Sequence, residues 1–264
     1  MKKPQPPVVF PHSQCGTFLK FVQSRPVNPL VALSDEVITE AADFTARLTN
    51  QYRSLAGLAG VEQGGNCLLL SAIGAWVLHA HLLSRCGWYF MPRVCAGSAR
   101  FSVNTEHNGS QEIAYLWSPE TPQSQASVAS GGMPEFHSWV ELDMVNAPGA
   151  AKHSEDDACL HFIFDPSLQE IHALSETCCG RPWEVGSLPN SLMHVYNCRY
   201  VAGSSSVIRG GGELPNVNPF DCSQGKRVLE FEYQPHPMAE ALVSYHVRNL
   251  HRDERLRYLF NAVN

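Results

Sequence analysis

The stretch that decides the fold is GGNCLLLSAIGAWVLHAHLLSRCG, residues 64–87. Asn66 is a good helix N-cap and Gly87 a typical stop signal, so the pattern predicts a helix that begins at Cys67. Leucine, isoleucine, valine and tryptophan occupy nearly every face of this helix. A helix that is apolar all round is buried in the centre of a domain. The sequence therefore places a cysteine at the N-terminus of the core helix.

Another helix precedes this stretch, and strands follow it. Ser34 is a cap for a helix that ends near Gly57 and Gly60, and residues 1–33 form a proline-rich, extended lead-in. Alternating or apolar runs then predict strands at residues 93–103, 112–117, 135–143, 160–164, 194–201 and 227–233. The remaining predictions are a mobile loop at residues 118–132, a loop at 146–157, a turn at Gly210–Gly212 and a final amphipathic helix after Pro237. The fold class is α+β, with one domain over residues 34–264.

Composition and charge exclude several classes of protein. The 264 residues are 44% hydrophobic and 17% charged, which is typical of a globular chain, and the net charge of −6 argues against a nucleic-acid partner. The arginines near the C-terminus alternate with acidic residues and predict a solvated face, together with His246 and His251. The longest apolar stretch, residues 68–83, is short for a membrane span. Nine cysteines without a paired pattern, and no recognisable signal peptide, predict a soluble, reduced, cytoplasmic protein, although export without a signal peptide stays open.

Three residues have the chemistry of a cysteine nucleophile and its helpers. The first turn of a helix stabilises a thiolate at Cys67 through its free N–H groups and its dipole. In FHSWVEL, residues 136–142, the strand period of two places His137, Trp139 and Glu141 on one face. In FIFDPS, residues 162–167, a carboxylate ends a buried strand and a proline turns the chain. A thiol, an imidazole that accepts its proton and a carboxylate that orients the imidazole predict Cys67, His137 and Asp165 as a catalytic triad.

These blocks resemble the transglutaminase-like, papain-related superfamily of cysteine proteases and acyltransferases. Gly-Gly-Asn-Cys opens a helix, His-Ser-Trp-Val-Glu follows on a strand, and Phe-Asp-Pro-Ser ends another, in the chain order of that family, over residues 60–170. The resemblance implies a core in which the helix with the cysteine packs on an antiparallel sheet with the histidine and aspartate. The first block is also similar to that of arylamine N-acetyltransferases, but Gln63 stands where they have arginine. The segment from about residue 175 to 264 is a C-terminal extension of unrecognised type.

Each candidate residue also has a structural interpretation. A free cysteine is usually a small buried hydrophobe, a strand histidine often bonds a backbone carbonyl, and Asp-Pro-Ser is a common turn. Trp139 is interpreted as a cleft wall or a core aromatic, and Gln63 as a donor to an oxyanion. His79 and His81 point to different faces of a helix, so one metal ion does not bind both. A structural metal at Cys178, Cys179, His194 and Cys198 lacks zinc-ligand spacing, so we expect no metal and no cofactor.

The function that these residues predict is acyl transfer through a thioester on Cys67. Water as the acceptor gives a protease, amidase or deamidase, and an amine gives a cross-linking transferase; we favour hydrolysis. A protein, peptide or other amide is the expected substrate. A binding or scaffold module without turnover, and an acetyltransferase, remain the alternatives. The sequence does not give the oligomeric state.

Overall fold

A computed structural model describes residues 35–57, 66–86, 89–106, 109–145, 160–168, 192–197, 207–214 and 225–263. Its helices and strands, in chain order, are α1 (Asp35–Leu55), α2 (Cys67–Cys86), β1 (Tyr89–Thr105), β2 (Gly109–Tyr115), α3 (Pro122–Ala129), β3 (His137–Val145), β4 (Leu160–Asp165), β5 (Leu192–Asn197), β6 (Ile208–Leu214), β7 (Arg227–Pro235), α4 (Pro237–Arg252) and α5 (Glu254–Val263). The prediction of a mixed α+β fold is confirmed at this level. Residues 1–33, Gln63 and the loop at 146–157 lie outside the described residues.

The strands form one curled antiparallel sheet in the order β5-β4-β3-β1-β7-β6, and β2 also pairs with β1. The long strand β1 is its centre. Along one edge of β1, the first part of the strand pairs with β3, and this pairing ends where Gly97 lies opposite His137. The rest of the same edge pairs with β2, beginning where Ala99 lies opposite Tyr115. The other edge pairs with β7 from Gly97 onward. Because β2 continues the edge that β3 leaves, Tyr115 lies beside His137.

The two faces of the sheet carry two different cores. Val140, Leu142 and Phe164 face the helices and pack with Ile73 and Leu78 of α2, so this face is covered by the helical layer. The other face is the inside of the curl, where aromatic and aliphatic side chains pack on one another. Its buried members include Phe101, Trp139, Ile163, Phe231 and Tyr233. The alternation predicted for residues 136–142 is confirmed, and it places His137 and Glu141 on the inside face with Trp139.

The helix α2 approaches the sheet closely at Gly74. A Cβ atom at Gly74 would lie 3.1 Å from Phe164 Cε1 and 3.3 Å from Pro166 Cγ. Residues 70–75 of α2 are buried, as predicted for a central helix. The predicted start of this helix at Cys67 is confirmed, and so is the helix that follows Ser34, which runs to Leu55.

Two predictions about loops are wrong. The segment predicted as a mobile loop, residues 118–132, contains α3, which Thr121 caps with its side chain and Pro122 opens. Proline is compatible with the first turn of a helix because that turn needs no N–H from it. The residues predicted as a turn, Gly210–Gly212, lie within β6. Among the described strands, β6 pairs with β7 alone and lies at the end of the sheet order, and an edge strand tolerates glycine better than a central one.

The C-terminal segment also departs from the prediction. The final amphipathic helix is two helices, α4 and α5, separated at Asp253. The predicted solvated face is wrong for His251, which is 8% exposed. Its ring stacks on Trp76 of α2, with centroids 4.4 Å apart, so one side of α4 packs against the core helix. Among the described helices, none combines the length and the apolar character needed to cross a membrane.

Candidate active site

Cys67 is the first residue of α2. The carbonyl of Asn66 accepts the first hydrogen bond of the helix, from Leu70 N at 2.8 Å, so Asn66 occupies the predicted N-cap position. The thiol is half-buried. At this position the free N–H groups of the first turn and the positive end of the helix dipole face a negative charge on sulfur. This turn therefore suits a thiolate nucleophile and, after attack, an oxyanion.

A register match between α2 and β3 brings Cys67 to the beginning of β3. Ser71 donates its hydroxyl to the Ser138 carbonyl at 2.8 Å, and Cys67 Sγ lies 4.0 Å from the Phe136 carbonyl oxygen. Four residues of helix rise about 6 Å, and two residues of strand about 6.6 Å. One helical turn therefore spans the same distance as two strand residues, and the thiol lies next to the peptide that leads into His137.

His137 and Asp165 form a buried pair. The His137 Nε2 atom lies 2.7 Å from Asp165 Oδ2, and the exposures of the two side chains are 2% and 0%. Strands β3 and β4 pair with Val140 opposite Phe164, so one step further brings Asp165 opposite Trp139, next to His137 on the same face. The sequence prediction that the turn after Phe164 presents Asp165 to the strand with His137 agrees with this geometry.

Four donors surround the Asp165 carboxylate. Oδ2 accepts from His137 and from the Tyr233 hydroxyl, the latter at 2.7 Å, and Oδ1 accepts from Ser167 N at 3.0 Å and Ser167 Oγ at 2.6 Å. Burial alone would raise the pKa of Asp165, but the charge of His137 and these hydrogen bonds lower it. A buried carboxylate with all its lone pairs engaged stays ionised and fixed in orientation.

Aromatic rings enclose the His137 imidazole. Tyr115 stacks on it with centroids 4.9 Å apart, and Phe101 meets it edge-on at 5.5 Å. Tyr233 and Trp139 lie at 6.2 and 6.3 Å. The π face of Tyr115, which stacks on the imidazole, favours a cation over a neutral ring. The rings also hold the imidazole in one plane.

The charge on His137 follows from two opposing effects. Burial lowers the pKa of the imidazole, whereas the charge and hydrogen bond of Asp165, with a contribution from Cys67, raise the pKa to about 10. The Asp165 bond occupies Nε2, which leaves Nδ1 as the second ring nitrogen. Nδ1 is buried, and among the described residues the side chain that acts on it is the Cys67 thiol, which contributes to the raised pKa of the ring. Nδ1 is the atom that exchanges a proton with the Cys67 thiol if the pair reacts.

Trp139 has a different environment from the one expected of a substrate contact. Its side chain is fully buried, and its Nε1 donates to Glu141 Oε1 at 3.1 Å. Glu141 also pairs with Arg93 across the β1–β3 ladder. This placement favours the core interpretation of Trp139 over a substrate or oxyanion contact. Gln63, the predicted donor to an oxyanion, lies outside the described residues.

Sequence reasoning missed four residues around the triad candidates: Phe101, Tyr115, Ser167 and Tyr233. A local signal existed for Ser167, because Asp-Pro-Ser is a typical turn in which the aspartate accepts from the backbone two residues on. The alternation of β7 indicated that Tyr233 is buried, but not what its hydroxyl bonds. Among the described residues no group of three or more histidine, cysteine, aspartate or glutamate side chains is arranged to hold a metal ion. Comparisons of the chain with family models, curated proteins and solved structures found no match.

Proposed function

We propose that the protein is a cysteine-dependent acyl-transfer enzyme, with Cys67 as nucleophile, His137 as general base and acid, and Asp165 as the group that orients His137. The observation that carries the proposal is the buried bond between His137 Nε2 and Asp165 Oδ2, because it leaves Nδ1 for the thiol at the start of α2. A general base needs one ring nitrogen within reach of the nucleophile while the other is held by an orienting group, and His137 has this arrangement between Cys67 and Asp165.

The first half of the reaction forms a thioester. Cys67 Sγ attacks the carbonyl carbon of an amide, and the carbonyl oxygen gains negative charge in front of the first turn of α2. The imidazolium form of His137 gives the Nδ1 proton to the leaving nitrogen as the C–N bond breaks. An amine or ammonia leaves, and His137 is neutral.

The second half regenerates the thiol. Neutral His137 accepts a proton from water at Nδ1, the resulting hydroxide attacks the thioester, and the C–S bond breaks. A carboxylic acid leaves, and the thiolate and imidazolium are restored. Asp165 stays ionised throughout and stabilises the imidazolium. We favour water over an amine acceptor because water needs no dedicated binding site.

The finer fold assignment belongs to the same proposal. In a papain-related, transglutaminase-like core, a helix with the nucleophile at its N-terminus packs on an antiparallel sheet that carries the histidine and the aspartate on neighbouring strands. Support comes from α2 on β3, from the β3–β4 pairing, and from the chain order of Cys67, His137 and Asp165.

The first test uses the thiols. Iodoacetamide is added at neutral pH, and the labelled peptides are followed by mass spectrometry over time. We expect Cys67 to react much faster than Cys95, which is fully buried, and His137→Gln to slow Cys67 to the rate of an ordinary thiol. Equal rates at Cys67 in the wild type and in His137→Gln would contradict the nucleophile assignment.

The second test looks for turnover. A library of glutamine- and asparagine-containing peptides is incubated with the protein, and the release of ammonia or of a cleaved peptide is measured. Cys67→Ala should abolish the release, and Cys95→Ala should retain it. Incubation with acyl-CoA and intact mass measurement tests the acetyltransferase alternative, which requires an acyl adduct on Cys67. A reactive Cys67 that processes none of these donors would favour the scaffold alternative.

A further inference from the structure

Tyr233 makes a hydrogen bond to Asp165 that a triad of Cys67, His137 and Asp165 does not need for its chemistry. It lies on β7, is fully buried, and donates its hydroxyl to Asp165 Oδ2 at 2.7 Å. Strands β4 and β7 are not neighbours, because β3 and β1 separate them in the sheet. The hydrogen bond therefore crosses the inside of the curl and ends on the same oxygen atom that His137 Nε2 contacts.

We propose that Tyr233 is a positioning residue of the candidate active site, whose hydroxyl acts on His137 through the shared oxygen of Asp165. The inference rests on the proposed function for its catalytic meaning, but the coupling itself is a property of the three side chains. Two donors on one carboxylate oxygen compete for its charge. Tyr233 therefore limits how much negative charge Asp165 presents to the imidazole, and so how firmly His137 keeps its proton.

The surroundings keep this donor in place. Burial, and then the charge of Asp165, raise the pKa of Tyr233 well above its ordinary value, so its hydroxyl stays protonated over the working range of pH. The ring packs at 4.9 Å from Trp139 and at 5.6 Å from Phe101. Ser167 occupies the other oxygen, so the carboxylate does not rotate away from either donor without losing hydrogen bonds.

The chain offers a matched control. Tyr52 of α1 donates its hydroxyl to Asp253 Oδ2 at 2.9 Å and is 7% exposed. Burial and the bond to Asp253 raise the pKa of Tyr52 to about 12. This second tyrosine–aspartate bond has the same chemistry but joins α1 to the α4–α5 junction, and no histidine shares its oxygen in the described structure. A purely structural role predicts similar consequences for both tyrosines.

The experiment follows the proton between His137 and Asp165 by NMR on full-length protein with ¹⁵N-labelled histidine, assigned by its loss in His137→Gln. In Tyr233→Phe the oxygen loses a competing donor, so we expect the hydrogen bond from His137 Nε2–H to Asp165 Oδ2 to shorten and the resonance of its proton to move downfield. Tyr52→Phe should leave the resonance where it is. A resonance that stays in place or moves upfield in folded Tyr233→Phe would overturn the proposal.

A second measurement keeps the test decisive if Tyr233→Phe does not fold. Protein made with 3-fluorotyrosine keeps every hydroxyl but makes each a stronger donor, so the His137 resonance should move upfield. The same labelled protein in the Tyr115→Phe background, which removes the fluorinated ring stacked on His137, should show the same shift, and no shift would again overturn the proposal. Iodoacetamide labelling of Cys67 on these samples tests the enzyme assignment separately, because the resonance reports the coupling whether or not Cys67 reacts.

Discussion

Two buried histidines in this protein have opposite environments. His137 lies inside the curl of the sheet, and His251 lies in the seam between α2 and α4; their exposures are 2% and 8%. Each stacks on an aromatic ring, His137 on Tyr115 and His251 on Trp76. The difference is the polar partner, because His137 contacts a carboxylate, whereas His251 Nε2 lies 3.4 Å from the Ala72 carbonyl.

This difference decides the charge of each ring. Burial lowers the pKa of His251 to about 4, and the carbonyl does not compensate for it. Burial acts on His137 in the same direction, but Asp165 reverses the outcome and raises the pKa to about 10. At neutral pH His251 is a neutral packing residue and His137 a cation. Burial by itself therefore does not decide the charge of a histidine; the presence or absence of a carboxylate partner does.

The largest effect is expected from removing that partner. In Asp165→Asn the burial of His137 is uncompensated, so its pKa should fall from about 10 to below 7. Turnover of any substrate found should fall by about 10³-fold or more, since the imidazole loses both its orientation and its stabilised cation. NMR titration of His137 and steady-state rates measure the two effects.

Asp253→Asn is the control for this change, because Asp253 also accepts a tyrosine hydroxyl but has no histidine partner among the described residues. It should leave the His137 titration unchanged. A native fold in Asp165→Asn with a His137 pKa still near 10 would mean that the aromatic rings, rather than Asp165, hold the cation.

A smaller but still large effect is expected at Gly97, which pairs with His137 on one side and with Pro235 on the other. A Cβ atom there would lie 2.1 Å from the Gln234 carbonyl oxygen, which is backbone and does not move aside. Gly97→Ala should lower the free energy of unfolding by about 3 kcal/mol or more, at the upper end of overpacking costs. Urea denaturation followed by circular dichroism measures the loss.

The helical layer offers the counterpart at Gly74, where the three nearest neighbours of a Cβ would be side-chain atoms of Phe164, Pro166 and Thr45, at 3.1–3.5 Å. These atoms are able to shift, and alanine gains about 1 kcal/mol over glycine inside a helix. Gly74→Ala should therefore change the stability by no more than about 1 kcal/mol. Equal losses at both glycines would show that the strand junction is no tighter than the helical layer.

The third effect concerns His251 and pH. Its pKa in the folded protein, about 4, lies below the ordinary 6.5, so between these values the unfolded chain binds a proton that the folded chain does not. Its contribution is complete above pH 6.5 and is lost as the pH falls toward 4, by about 3 kcal/mol in total. The free energy of unfolding is measured by urea titration at several pH values. As the pH falls, it should decrease less steeply in His251→Phe, which keeps a ring on Trp76, than in the wild type. Equal slopes in the wild type and in His251→Phe would show that His251 is not the group responsible.

Much of the local structure was predictable from the sequence. Asn66 and Gly87 bracket α2, and the alternation over residues 136–142 gave the correct faces for His137, Trp139 and Val140. The Asp-Pro-Ser turn gave the end of β4. Helix caps, strand periodicity and turn chemistry depend on residues that are close together in the chain. The local sequence is therefore enough to predict them.

What could not be predicted depends on which strands become neighbours. The contact of Tyr233 with Asp165 joins residues 68 positions apart. The order of the strands is set by the total packing rather than by a local pattern. His251 shows the same limit, since its arginine-rich surroundings in sequence suggested solvent, while Trp76 and Ala72 of a distant helix bury it. Pro122 favoured a loop in the sequence, but proline also occurs in the first turn of a helix, as in α3. Gly210–Gly212 favoured a turn, but glycine also occurs in edge strands, as in β6.

The place of β7 in the sheet has a consequence for the synthesis of the protein. This strand, residues 227–235, supplies the second edge of the central strand β1 and the tyrosine that contacts Asp165. A ribosome makes all of β1 to β6 before it, so the nascent chain has its thiol and its imidazole long before the sheet that orders them is complete. Contacts between such distant segments slow folding, because the chain must close long loops before those contacts form. The hydrogen bond from Tyr233 to Asp165 therefore forms only after β1 to β6 have been made.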